Sequence, residues 1–475
     1  DACHGRGIAV ILDIAMNHSF GQSPLVQMYF NSGSGQVTAQ SPWFNISAKH
    51  DFNVGYDFNH ESPATKEFTK QVYQYWVEEF HIDGYRIDLS KGYTQKNTLG
   101  NIGAWNAYDP SRVAILCAIR DAVHEIDPEN ILILEHLSDN QEEMILSDSG
   151  FLLWGNMNHE FNEATMGFSS NFNWMDYKTR SWKNPRVVTY MESHDEERLM
   201  YKNKLYGAVN GTYNVKQEAV GLQRNAAAAM LFFAMPGPKM LWQFGELGYD
   251  YSINYCENGT INNNCRTAPK PIVWNYYQNP AKKALYEVYA GMMDLRNKAS
   301  IFHTNDYSHS LTGTIKFIHL KEGNDEVFAI ANMGTSSASY TYTLNSGKFY
   351  EYFSGTEELL GDSTLSITLG PGEYRLYSTQ NLGKFPDKLS VPQQELSGIV
   401  CFPNPAKDLV NVNGLDGNQE VHYAVYDLQG KCLITMQTKP SDTLQIPFTY
   451  WKPGVYLLII QQGERVFRER ITIDN

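Results

Sequence analysis

The chain has 475 residues, too long for one ordinary domain, and its 38 basic and 52 acidic residues give a formal charge of -14. That sign excludes a phosphate backbone as a natural partner, so no nucleic acid is expected. No apolar run approaches the roughly 20 residues that cross a bilayer, and the cysteines at 3, 117, 256, 265, 401 and 432 lack the C-x-x-C spacing of a zinc site.

Taken in order, the chain alternates strand with helix. The apolar run 7–13 reads as a parallel strand buried on both faces, and polar Asn17 and His18 collect just beyond it. In a parallel barrel that C-terminal end of a strand is the functional face. Residues 19–59 form a loop-rich excursion over that face, with Trp43, Phe44, Phe52 and Tyr56. A helix over 62–80 starts with Pro63 at its first position. The next strand carries Arg86 and Asp88 two apart, so both side chains leave one face and the guanidinium keeps the carboxylate ionised. A helix over 110–125 follows, then a strand ending on Glu135, a weaker strand over 151–154, and a strand over 186–191 that runs into His194 and Asp195. An Ala-rich helix over 217–235, a strand over 239–244 and a helix over 281–297 complete the series. Such repetition means a parallel sheet with covered faces.

Six strands are countable and a closed (β/α)8 barrel needs eight. The expected fold class is therefore α/β, a TIM barrel over residues 1–300 whose first two βα units lie upstream. Short alternating strands over 314–318, 327–331 and 374–377 predict an antiparallel β domain at 301–382. A polar linker with Pro386 and Pro392 spans 383–397, and residues 398–475 read as a separate small β-sandwich. Cys256 and Cys265 flank a polar loop and either close a disulfide in an exported protein or remain two thiols.

Asp88, Glu135 and Asp195 each end a different strand, so a barrel brings them to one mouth. A salt bridge accounts for any one of them alone, but three converging carboxylates repel and raise the pKa of the least paired. Asp88 has Arg86 beside it, whereas Glu135 follows an apolar run and can hold a proton. An ionised nucleophile about 5–5.5 Å from a protonated acid is the retaining glycosidase arrangement. Asp195 is then placed to stabilise the charge developing on the sugar, with His18 and His194 on its hydroxyls. The 30 Tyr and 9 Trp suit sugar faces.

These residues also resemble the ordered regions of the α-amylase family of glycoside hydrolases: Asp13 with Asn17 and His18; Gly84, Tyr85, Arg86, Asp88 and Lys91; strand-final Glu135; and His194, Asp195 and Arg198. Tyr56, Asp57, Phe58 and Asn59 resemble the auxiliary fifth region. The resemblance covers roughly residues 1–380. It implies Asp88 as nucleophile, Glu135 as acid/base, Asp195 as transition-state stabiliser, and Asp13, His18, Arg86 and His194 around the reacting glucose. It also implies a calcium site with side-chain ligands Asn17 and Asp57, although Gly92 stands where calcium-binding members often carry His. No organic cofactor is implied. Residues 398–475, with Phe402-Pro403-Asn404-Pro405-Ala406, Tyr426-Asp427-Leu428-Gln429-Gly430-Lys431 and Pro453-Gly454-Val455-Tyr456, resemble the C-terminal sorting domain of the bacterial type IX secretion system. That implies a secreted or surface-held enzyme that meets the secretion machinery through this domain.

The expected activity is hydrolysis of α-1,4 bonds in starch-like α-glucans. A branching or transglycosylating enzyme on the same three carboxylates is one alternative, and a catalytically inactive glucan-binding protein is the other.

Overall fold

A computed structural model describes residues 1–361, 363–383, 385, 394–395, 399–427, 432–440, 443–449, 451–462 and 465–474. Six strands, β1 (Ile11–Ile14), β2 (Gly84–Ile87), β3 (Ile131–Leu134), β4 (Leu152–Asn156), β5 (Val187–Tyr190) and β6 (Lys239–Met240), pair in parallel in their chain order. Helices α1 (Pro63–Phe80), α2 (Pro110–His124), α3 (Asn140–Asp148), α4 (Asn158–Met166), α5 (Leu199–Tyr206), α6 (Glu218–Ala234) and α7 (Pro280–Lys298) intervene or follow. This is the alternating arc of a (β/α)8 barrel, with β-domains after it.

Local chemistry sets the helix starts. Asp109 accepts hydrogen bonds from the Ser111 and Arg112 amides ahead of Pro110, and Asn279 does the same for Ala281 and Lys282 ahead of Pro280. Each therefore satisfies amides that the first turn leaves unpaired, while proline sits where its missing N–H costs nothing. Tyr73, Val77, Leu116 and Val123 from α1 and α2 pack on Tyr85, Ile87, Leu132 and Leu134 of the sheet.

Two strands differ from expectation. Within the run 7–13 only residues from Ile11 onward join the sheet, and of Ile11–Ile14 only Ile14 is buried. Among the described residues β1 is bonded to β2, whose four residues are all buried. Pairing of β6 stops at Met240, and Phe244, at a left-handed φ of 64°, opens the turn Gly245–Leu247. Trp242 and Gln243, between the two, line the cleft described below.

The excursion after β1 is a small lobe with its own core of Val26, Val37, Phe44 and Phe58. It is closed by antiparallel pairing of His18 with Asp57 and of Ser19 with Tyr56.

Beyond α7, a six-stranded antiparallel sheet (strands Asp306–Ser310, Ile315–Glu322, Asp325–Asn332, Tyr374–Ser378, Gly347–Glu351 and Glu357–Leu360) faces a two-stranded one formed by Ala338–Thr343 and Thr364–Leu369. Phe317, Phe328, Phe349, Leu365 and Leu369 fill the space between. The Ala-rich α6 joins this domain to the barrel. Ala226, Ala227, Ala228 and Ala229 are all buried in one core with Ile318, Leu320, Val327 and Leu376, since short side chains let a helix approach a sheet closely. Arg224, wholly buried, donates to the Thr165 and Ala164 carbonyls of α4 and to the Met333 and Gly334 carbonyls of the β domain.

Residues 9–385 form one compact unit, and residues 1–8 with 386–475 form another. In the second unit, strands Val400–Phe402, Leu409–Asn413 and Thr443–Pro447 make a three-stranded sheet. Gln394–Glu395, Arg465–Ile473, Gly454–Gln462, Val421–Tyr426 and Cys432–Thr438 make a five-stranded one. Val410, Val412, Val425, Ile446, Leu458, Ile460 and Ile471 form its core. Of the expected linker 383–397 only Gly383, Phe385, Gln394 and Glu395 are among the described residues, and Leu428, Gln429, Gly430 and Lys431 of the sorting motif lie outside them. Among the described residues no helix is long and apolar enough to cross a membrane.

Candidate active site

Register places Asp13 of β1 opposite Arg86 of β2, and Arg86 opposite Ile133 of β3. The buried Arg86 guanidinium then reaches three carboxylates. Its Nη1 donates to Asp13 Oδ1 at 2.7 Å and to Asp88 Oδ1 at 2.8 Å, and its Nη2 stands 2.9 Å from Glu135 Oε2. The guanidinium also lies 4.1 Å from the ring centre of Trp154 on β4. Burial alone would lower the Arg86 pKa, but Glu135, Asp13 and Asp88 outweigh it and raise the value. A permanent cation is thus locked among the acids.

The turn after β2 grips the end of β3. Leu89, at φ 41°, donates its amide to Glu135 Oε2 at 2.8 Å. The Ser90 amide and hydroxyl both donate to the Glu135 carbonyl at 2.9 Å. Lys91 Nζ donates to the Leu137 carbonyl at 2.7 Å and to Asn106 Oδ1 at 2.8 Å. Burial pushes the Glu135 carboxyl up to about 7; Arg86 and the Leu89 amide oppose that rise, while Asp88 and Asp195 add to it.

A buried chain stands behind this turn. Ser90 Oγ lies 2.8 Å from His136 Nδ1, and His136 Nε2 lies 2.7 Å from Glu142 Oε1. Arg112 then holds Glu142 with Nε at 2.6 Å and Nη2 at 2.9 Å. Burial works to raise the Glu142 pKa, but His136 and Arg112 win and bring it down to about 2.

Asn17 Nδ2 donates to the Asp88 carbonyl at 3.1 Å and to Asp88 Oδ2 at 3.2 Å, while Asn17 Oδ1 sits 2.5 Å from His18 Nδ1. Burial lowers the His18 pKa, with Asp88 opposing. On the far side, Asp195 and His194 share with Asp88 a cleft of about 680 Å³ that Arg198, Trp242 and Tyr249 also line. His194 Nε2 is 3.5 Å from Asp195 Oδ1, and the His194 ring stands between Trp154 at 6.2 Å and Trp242 at 5.8 Å. Thus one guanidinium joins Asp13, Asp88 and Glu135, His18 attaches through Asn17, and Asp195 and His194 face Asp88 across the cleft.

Sequence reasoning missed two groups here. Arg266 pairs with Asp195 from the residue after the Cys256–Cys265 disulfide, and its position beside a cysteine was the one available sign. Trp154, beneath Arg86, carries no charge and looked like an ordinary strand residue.

The cation site expected at Asn17 and Asp57 has one strong feature. Asp57 is buried; its Oδ2 accepts from Asn45 at 2.7 Å but its Oδ1 has no hydrogen bond, and His50 Nε2, equally without one, lies 3.9 Å away. Burial pushes Asp57 up to about 7 and His50 down to about 4. Gly92 packs here so closely that a Cβ would stand 3.0 Å from His50 Nε2 and 3.2 Å from the Asn17 Cβ. A buried carboxylate oxygen without a donor beside a neutral imidazole fits a hard cation. Asn17 fits less directly, since its amide oxygen is engaged by His18. Among the described residues no cluster of three or more His, Cys, Asp or Glu side chains is arranged to hold a metal.

Comparison with known proteins bears on the family and the fold. Residues 40–292 match the alpha amylase catalytic domain, and residues 400–474 match the secretion system C-terminal sorting domain. A cyclomaltodextrinase of a Bacillus species is 24% identical over 361 residues, 69% of this chain and 52% of that protein. The 1,4-alpha-glucan branching enzyme of Geobacillus stearothermophilus is 24% identical over 277 residues, 52% of this chain and 38% of that protein. The chain spans about half or less of the length of these curated relatives. Among solved structures, an Anoxybacillus alpha-amylase is 16% identical with a TM-score of 0.59, covering 79% of this chain and 76% of that one. The Geobacillus thermoleovorans alpha-amylase complexed with acarbose is 14% identical with a TM-score of 0.57, covering 79% and 78%. At such identity these structures support the fold alone. With the catalytic-domain match spanning more than half of its residues and a parallel barrel arc beneath its carboxylates, the chain belongs to the alpha-amylase family.

Proposed function

We propose that the protein is a retaining glycosidase that cleaves α-1,4-glucosidic bonds in starch-like glucans, with Asp88 as nucleophile, Glu135 as acid/base and Asp195 as stabiliser of the transition state. The observation that carries this reading is the single guanidinium of Arg86 shared by Asp88 and Glu135. Sharing one cation brings the two carboxyls together, and a retaining glycosidase sets its pair about 5–5.5 Å apart, which favours a covalent intermediate over the wider spacing that admits a water between them. Asp88, hydrogen-bonded by Arg86 and Asn17, attacks the anomeric carbon as an anion. Glu135, held part-protonated by burial, gives its proton to the departing glycosidic oxygen. It then takes a proton from the water that breaks the Asp88 ester, and Asp195 balances the positive charge on the ring in both steps. Asp13, His18, Arg86 and His194 surround the reacting glucose.

Within the same reading, Asp57 and Asn17 would hold a calcium ion whose contribution is structural, tying the far end of the excursion to the segment just after β1, where His18 pairs with Asp57. The sorting domain at 400–474 supports delivery by the type IX secretion machinery to the cell surface or beyond, and the Cys256–Cys265 disulfide suits an oxidising compartment.

Reducing-end release and iodine colour, followed together on soluble starch, test the reaction. Hydrolysis gives reducing ends in step with colour loss, and Asp88→Asn abolishes both by on the order of a thousandfold or more. Colour loss without reducing ends would make the chain a branching enzyme, and starch retention with neither change would make it a binding protein.

Because the protonated form of Glu135 is the working acid, kcat/KM should fall as pH rises through about 7. With aryl α-maltosides, whose leaving group needs little protonation, Glu135→Gln should lose that alkaline limb. Persistence of the limb in Glu135→Gln would assign the titration to another group.

Calcium in place of EGTA should raise the melting temperature of the parent protein and leave Asp57→Asn unmoved. Equal melting of the parent in both would rule the ion out.

A further inference from the structure

A second concavity opens at the barrel mouth beside the catalytic cleft. It holds about 440 Å³ and is lined by Asn156, His159, Glu160, Asn171, Trp174 and Glu196 among others. Asn156 is the last residue of β4, between the strand that ends on Glu135 and the strand that runs into Asp195. Glu196 lines both cavities. Its carboxylate is held from one side by Asn156 Nδ2 at 2.5 Å and from the other by Ser193 Oγ, so it forms a fixed partition and not a mobile side chain.

Trp174 gives the cavity its character. It is 44% exposed, an unusual surface for an indole, yet the ring is firmly held. Arg180 lies 4.6 Å from the ring centre, donates its Nε to the Trp174 carbonyl at 2.8 Å and pairs through Nη1 with Glu143 at 3.0 Å. The turn bearing it, Asn173–Met175, is pinned by the Phe172 amide on the Leu311 carbonyl and by the buried Met175. One face of the indole is therefore backed by a guanidinium and the other is left open at a rigid angle. Around it stand hydroxyl partners of both kinds. Glu160 uses Oε2 on the Asn171 amide, and Asn171 uses Oδ1 on the Asn173 amide. That leaves the second Glu160 oxygen to accept and the Asn171 side-chain NH₂ to donate. A preorganised aromatic face ringed by carboxylate, amide and imidazole groups matches a pyranose, with its apolar C–H face and polar rim.

We propose that this concavity is an additional α-glucan subsite, in which Trp174 stacks a glucosyl unit beyond the one at Asp88, and that it makes the enzyme favour long chains over short ones. The subsite rests on the glucan reading given above. Calorimetric titration of the 475-residue chain carrying Asp88→Asn, with maltose and maltoheptaose as probes, tests it in three backgrounds: Trp174 intact, Trp174→Ala and Trp174→Phe. Trp174→Ala should weaken maltoheptaose by roughly three- to tenfold, about the worth of one aromatic contact. Maltose should be affected far less, and Trp174→Phe should regain most of the loss. Unchanged maltoheptaose affinity in Trp174→Ala would overturn the subsite, and if the parent protein still cleaved starch the glucan reading would survive it. Equal weakening of both sugars by Trp174→Ala and Trp174→Phe would also overturn it, as damage spread through the whole cleft. Absence of any binding or cleavage by the parent would remove the glucan reading and the subsite together.

Discussion

The buried guanidinium of Arg86 is the interaction on which the site depends. Three carboxylates from three neighbouring strands converge on it, and without a cation the part-buried Glu135 and Asp88 would repel each other with no compensating charge. The three are not held alike. Asp88 receives a hydrogen bond from Nη1 and another from Asn17, whereas Nη2 approaches Glu135 at 2.9 Å without hydrogen-bond alignment. For Glu135 burial therefore wins over the cation, and its carboxyl rises to about 7. One arginine thus hydrogen-bonds Asp88 beside a Glu135 raised by burial, an arrangement that suits the proposed two-step displacement.

The rest of the barrel serves that geometry. Parallel pairing of β1, β2 and β3 in chain order sets Asp13, Arg86 and the approach to Glu135 side by side. The turn at Leu89, Ser90 and Lys91 then fastens the end of β3 by four donors to Glu135 and Leu137. Behind it, the Ser90, His136, Glu142 and Arg112 chain is buried and fully paired, which makes it rigid but intolerant of losing one partner. The Ala-rich α6 and its Arg224 weld barrel and β domain into one core, so the mouth is carried on a stiff body.

Much of this was legible from spacing. The strand-final positions of Asp88 and Glu135 and the i, i+2 relation of Arg86 to Asp88 are local facts, and a parallel sheet in chain order converts them directly into proximity. Strand limits were not legible. The apolar run 7–13 starts before the sheet does, and only residues from Ile11 onward are paired, since apolar letters do not mark where pairing begins. The end of β6 was overestimated for a related reason: pairing stops at Met240 although the run of large side chains continues to Phe244. Long-range partners were hidden as well. Arg266 reaches Asp195 only through a disulfide-closed loop, and Arg112 meets Glu142 across two helices, with no periodicity to announce either.

The central claim is a covalent glycosyl intermediate on Asp88. Incubating Glu135→Gln with α-maltosyl fluoride, whose departing fluoride needs no proton from Glu135, should let the intermediate form and slow its hydrolysis. Mass spectrometry of the quenched, digested protein should then find a maltosyl adduct on the peptide that contains Asp88, and none when Asp88→Asn is added. An adduct on another carboxylate, or turnover of the fluoride to maltose of inverted configuration with no adduct, would contradict the account.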